Sequence, residues 1–142
     1  MYRWVEHTGE LELEVEADVE EAIYAEALEA MAELLGDEPD TESATGRDAP
    51  ASCVCLVRDF AVEAPDRSRL LAEFLGELAF LAESERFMPT GLERLDVETG
   101  RLQATVRGRT GDPPHLVKAV TYHGLSFEDV DGGWRATVVL DV

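Results

Sequence analysis

"ELELEVEADVEEAIYAEALEAMAELLG", residues Glu10 to Gly36, changes its period partway along. Up to Glu16, the apolar residues Leu11, Leu13 and Val15 alternate with Glu12, Glu14 and Glu16. A period of two predicts an antiparallel strand with one wet, acidic face. From Asp18 the spacing turns helical: Ile23, Ala27, Ala30, Met31 and Leu34 recur three and four residues apart, which defines one apolar face. Asp18 and Glu21 have the spacing of a capping box, and Gly36 is a natural helix stop. The glutamates between them read as a solvated side.

The flanking segments extend this strand-then-helix pattern. Tyr2 to Glu6 is a short aromatic and β-branched run, ending at the turn "HTG". Asp37 to Ser52 is polar and rich in Pro, Gly, Ser and Thr, a loop. "CVCLVRDFAVEA", from Cys53, predicts a mostly apolar strand covered in part on both faces. "PDRSRLLAEFLGELAFLAESE" predicts a second helix with Leu70, Leu71, Phe74, Leu75, Leu78 and Leu81 facing in. Gly76 in its middle costs ~1 kcal/mol against alanine, and is expected to permit close packing. "LERLDVETGRLQATVRG" reads as a hairpin around Thr99 and Gly100, and the last two strands turn at Asp131 to Gly133. The order β-β-α-β-α-β-β-β-β predicts an α+β fold: an antiparallel sheet or sandwich carrying two amphipathic helices, in one domain over residues 1–142.

The formal net charge of -19 over 142 residues argues against direct binding to nucleic-acid phosphates. It fits a solubility adaptation, cation binding, or docking on a basic protein surface. No stretch has the ~18 uninterrupted apolar residues of a membrane span, and "MYRWVEHTGE" has no signal-peptide core, so a cytoplasmic location is expected. Cys53 and Cys55 are too close in sequence for an unstrained disulfide. Without a second Cys/His cluster they read as buried strand cysteines rather than zinc ligands.

Phosphate-loop, dinucleotide-binding, HExxH and nucleophile-elbow signatures are absent. What remains is acids at strand ends. Glu10 leaves the "HTG" turn, and Asp141 ends the run "ATVVL" beside the carboxylate of Val142. Each is either a solvated terminus or a cation ligand. If the strands that carry them are neighbours, three carboxyl groups converge, the beginning of a site for Mg²⁺, Mn²⁺ or Ca²⁺. His7 is either a further ligand or a residue that orients the turn with Thr8. His123 is either an acid/base or a satisfied strand histidine. His115, Asp48 and Asp112 read as loop residues. Lys118, in "VKAVTYHG", is the only lysine beside eleven arginines. Its compact ammonium is not interchangeable with a guanidinium.

Three segments carry a family resemblance. "YRWVEHTGELELEV" resembles the opening of the archease family, a His-Thr-Ala-Asp turn running into an amphipathic strand. "VKAVTYHGL" and "GGWRATVVLDV" resemble its penultimate and terminal strands. The resemblance implies an accessory protein, not itself an enzyme, that assists an RtcB-type RNA ligase in tRNA splicing or RNA repair. It implies promotion of metal- and GTP-dependent guanylylation of the ligase, and so multiple turnover. It also implies divalent-metal ligands at Glu10, Asp141 and the carboxylate of Val142, with His7, Lys118 and His123 facing the partner or its nucleotide. Here "HTAD" is replaced by "HTGE", so Glu10 reaches one methylene farther than the usual Asp, and the loop before "VKAV" is short. Two other classes fit the residues: a stand-alone metal-dependent phosphoesterase using Glu10, Asp141 and His123, and a chaperone-like binding module.

Overall fold

The computed structural model describes residues 1–36, 56–111 and 117–142. Among them, nine elements follow in the predicted order: β1 (Tyr2–His7), β2 (Glu10–Ala17), α1 (Glu20–Gly36), β3 (Leu56–Glu63), α2 (Arg67–Glu85), β4 (Phe87–Glu98), β5 (Arg101–Thr110), β6 (Ala119–Val130) and β7 (Gly133–Asp141). Cys53, Cys55, Asp48, Asp112 and His115 lie outside the described residues. The strands form two antiparallel sheets, β1-β2-β7-β6 and β3-β5-β4. The α+β class with two helices and antiparallel pairing is as the sequence predicts.

The helices lie between the sheets. α1 packs on β1, β2 and β7 on one side and on β4 on the other, while α2 packs on β6 and on β3, β4 and β5. A helix covered from two sides needs more than one apolar stripe. In α1 the buried set is Ile23, Tyr24, Ala27, Leu28, Ala30, Met31 and Leu35, so Tyr24, Leu28 and Leu35 supply the second face that a single-stripe reading omits. In α2 all six predicted inward residues are buried, with Ala72 and Ala82 beside them.

Only one face of each sheet meets helices, so the strands alternate. β3 does so throughout: Leu56, Arg58, Phe60 and Val62 are half-buried, and Val57, Asp59, Ala61 and Glu63 are exposed. The expected cover on both faces of this strand is therefore corrected, because no layer lies outside the three-stranded sheet among the described residues. Gly76 is also corrected: a Cβ there would meet nothing within 4 Å, so no close approach requires the glycine.

α2 starts at Asp66, whose extended backbone (φ -147°) lets its carboxylate accept from the Arg69 N–H at 2.9 Å and the Ser68 hydroxyl at 2.8 Å. These bonds hold the Asp66 carboxyl below its ordinary value. Through the core runs a line of aromatic rings, Phe60, Phe74, Tyr24, Phe127 and Trp134, with successive centroids 5.6 to 5.9 Å apart. It joins the second sheet to the first across both helices. The Tyr24 hydroxyl sits within it without a hydrogen-bond partner, and burial pushes its pKa up.

Candidate functional site

The site is built by register. β2 and β7 are direct neighbours, and Glu10 stands opposite Asp141. The row continues on both sides: His7 faces Glu10 across β1 and β2, and Ala119 faces Asp141 across β7 and β6. Directly opposed residues share a sheet face, with Cβ atoms about 4.5–5.5 Å apart. Leu13, Val15, Val138 and Leu140 belong to the core, so Glu10 and Asp141, out of phase with them, lie on the outer face. Both are half-buried.

The main chain fixes this end of the sheet. The Lys118 N–H donates to the Asp141 carbonyl at 2.8 Å, and the Val142 N–H donates to the Gly9 carbonyl at 3.4 Å. Gly9 turns the chain at φ +75°, a conformation that glycine adopts without the penalty other residues incur. The glycine of "HTGE" thus suits the turn that delivers Glu10.

The neighbouring acids of β2 are partnered. Glu14 accepts from the Arg3 guanidinium, which holds its carboxyl below the ordinary value. Glu16 pairs with Arg135 at 3.0 Å, and His7 Nε2 lies 2.9 Å from Glu12 Oε1. Glu10 and Asp141 have no ion pair or side-chain hydrogen bond among the described residues. Two like charges held opposite each other are destabilising, and oxygen-only donors of this kind suit a hard divalent cation. No group of three His, Cys, Asp or Glu side chains gathers for a metal among the described residues. On its own the pair is an open, two-carboxylate arrangement beside the main chain of Val142.

The other predicted residues separate. Lys118 is exposed one residue before β6, tied to Asp141 through its backbone. His7 shares the row but is engaged by Glu12. His123 is not brought to the pair: it lies farther along β6, exposed, in an excursion between Thr121 and Ser126. Sequence reading did not single out Tyr122, whose hydroxyl donates to Glu73 Oε2 at 3.0 Å and whose ring lies under the Arg69 guanidinium. The signal available for that excursion was the glycine at position 124 inside a strand pattern.

The profile of the Archease protein family matches residues 2–142. Protein archease of Methanosarcina mazei is 29% identical over 150 residues, covering 99% of this chain and 95% of that protein. The solution structure of Protein 1598 of Methanobacterium thermoautotrophicum superposes with a TM-score of 0.72 at 23% identity, covering 99% of this chain and 98% of that one. The crystal structure of a Thermotoga maritima archease, described as a possible chaperone, gives a TM-score of 0.64 at 21% identity, covering 100% and 98%. These two structures share the fold, and the family match spans nearly every residue: the chain belongs to the archease family.

Proposed function

We propose that this protein is an accessory factor that activates an RtcB-type RNA ligase, favouring its metal- and GTP-dependent guanylylation and hence multiple turnover. The observation that carries the reading is the opposed pair Glu10 and Asp141, left without a cationic partner on a sheet face where Glu14 and Glu16 each have an arginine. Glu10 and Asp141, with the carboxylate of Val142, are the residues that would hold a Mg²⁺, Mn²⁺ or Ca²⁺ ion. Such an ion, when bound, neutralises phosphate charge. An open arrangement suits this role, because magnesium in particular is bound through one or two carboxylates plus substrate phosphates rather than in an all-protein cage.

The chain's own residues supply the rest. Lys118 immediately precedes β6, whose Ala119 faces Asp141, and its ammonium faces a phosphate of the ligase's nucleotide. His7 orients Glu12 beside the pair. The acidic surface of a chain with net charge -19 complements a basic, RNA-binding partner and speeds encounter at low salt. The chaperone description of the Thermotoga protein fits an accessory role as well.

The test is RNA joining by an RtcB-type ligase from the same source, with GTP and Mn²⁺ and this protein at substoichiometric amounts. The expected result is joining beyond one turnover per ligase only when the chain is present, lost in Asp141→Asn at unchanged melting temperature. Joining that ignores the chain would overturn the proposal. Full stimulation by Asp141→Asn would overturn the assignment of the pair.

A further inference from the structure

Two helix starts and a hairpin turn meet at one end of the molecule. α1 begins at Glu20, α2 at Arg67, and the β4–β5 turn at Thr99 and Gly100 stands beside them. Gly100 takes φ +77°, and its carbonyl accepts the Ala64 N–H at 3.1 Å, which ties the turn to the lead-in of α2. Between them lies a cavity of about 550 Å³, within the roughly 300–1,000 Å³ of small-molecule sites. It is remote from the acid pair. The Arg67 guanidinium, in its wall, lies 5.0 Å from the ring centroid of Trp134. Trp134 faces Ala17, at the opposite end of the β2–β7 pairing from Glu10 and Asp141. The strand length between those ends is on the order of 24 Å.

The polar part of the wall is acidic, with Glu20, Asp66 and Glu98. Glu20 Oε2 accepts from Arg67 Nε at 3.0 Å, which leaves Oε1 without a partner among the described residues. Glu98 has no ion pair or side-chain hydrogen bond among them. Arg67 is neutralised by Glu20, so the wall repels an anion in spite of the α2 N-terminus. Leu70 and Phe127 line the rest with apolar surface. Behind Phe127 stands the Tyr24 hydroxyl, wholly buried and without a hydrogen-bond partner. Helical side chains tilt toward the N-terminus of their helix, so Tyr24, one turn into α1, directs its hydroxyl to the Glu20 end. Its ring rests on Phe127 with centroids 5.8 Å apart, and Glu20 and Arg67 are the charges that act most on the hydroxyl. The cavity and the orphaned hydroxyl share their neighbours.

We infer that this cavity binds a small organic cation, a guanidinium or primary ammonium carried on an apolar stem. Glu20 Oε1 and the Glu98 carboxylate take the cationic head through charge-assisted hydrogen bonds, and the stem lies on Leu70 and Phe127. Phe127 is only half-buried. A shift of its ring lets the Tyr24 hydroxyl accept from the head, which satisfies the buried polar atom that the chain leaves unpaired. The inference is independent of the acid pair and of any ligase.

The probe is butylguanidinium chloride, titrated into the full chain at constant ionic strength and followed by amide NMR shifts and melting temperature. The expected result is saturation with a Kd of about 1 mM, the largest shifts at Glu20, Leu70 and Phe127, and a raised melting temperature. Inorganic phosphate at the same concentrations should leave those shifts unmoved. Glu98→Gln is expected to weaken binding about five-fold. Tyr24→Phe, which removes only the hydroxyl, should weaken it about three-fold while melting no lower than wild type. Glu83→Gln, which removes an exposed acid at the far end of α2, should bind as wild type does. Shifts that stay linear to about 10 mM, or wild-type affinity in both Glu98→Gln and Tyr24→Phe, would overturn the inference. Equal weakening by Glu83→Gln would also overturn it, since the cation would then follow net charge alone.

Discussion

β2 and β7 lie side by side for their whole length, and the two ends of that pairing are built differently. At one end Glu16 faces Arg135, and the two form an ion pair at 3.0 Å. At the other end, on the same outer face, Glu10 faces Asp141. Composition does not account for the second arrangement, because the chain sets arginine opposite glutamate at the first, and again where Arg3 faces Glu14. Opposite charges across strands contribute a few tenths to ~1 kcal/mol each, and like charges work against the fold by a similar amount. At the acid end the fold forgoes that contribution.

The largest effect is expected from making the two ends alike. Asp141→Arg would set an arginine opposite Glu10, as Arg135 stands opposite Glu16. Stimulation of the ligase should fall to the level seen without the chain, while the melting temperature in metal-free buffer stays level or rises. A calorimetric scan beside the joining assay checks both, and a variant that melts lower yet still stimulates would break the comparison.

A second comparison sets this unpartnered surface pair against the unpartnered hydroxyl of Tyr24 in the core. An unsatisfied buried hydroxyl costs about 1–3 kcal/mol. Tyr24→Phe should recover about 1 kcal/mol of this in denaturant unfolding and leave stimulation untouched. Lost stimulation would show that the hydroxyl has a role beyond the core.

The ion-paired end can be spoiled in turn. Arg135→Asp should destabilise by about 0.5–1 kcal/mol, since both partners are half exposed, with stimulation retained. The smallest effect is in acid. Arg3 holds the Glu14 carboxyl below its ordinary value, so its folded pKa lies under its unfolded one. The stabilisation it brings is complete above the unfolded value near pH 4.5 and is lost as pH falls through the folded value. In Arg3→Gln the Glu14 carboxyl should titrate higher by NMR, and that part of the acid sensitivity should disappear.

Much of this was legible in the sequence because it is periodic. The alternation of Leu11, Leu13 and Val15 located β2, the spacing from Leu70 to Leu81 located α2, and the turns at Gly100 and Asp131 located both late hairpins. The acids Glu10 and Asp141 could be named as strand-end residues, but whether they meet depends on β7 inserting between β2 and β6. Local pattern does not encode that order. The second apolar face of α1 was hidden for the same reason, since Tyr24, Leu28 and Leu35 become interior only when a second sheet covers them. The β6 excursion was illegible because Tyr122 and His123 continue a plausible strand, and only Gly124 hints at the departure.

The placement of β7 has a consequence for how the protein folds. Arg135 and Glu16 pair across a sequence separation of 119 residues, and the carboxylates at the other end are farther apart still. Closing a loop of that length costs about 4 kcal/mol in chain entropy, so contacts between β2 and β7 are disfavoured until nearer parts of the chain have collapsed. The hairpins β1–β2, β4–β5 and β6–β7 can form early, and the acid end exists only once two of them have joined. A cation held there would therefore slow the unfolding of the whole protein rather than brace a single loop, and divalent-ion dependence of the unfolding rate would report on the site without any ligase present.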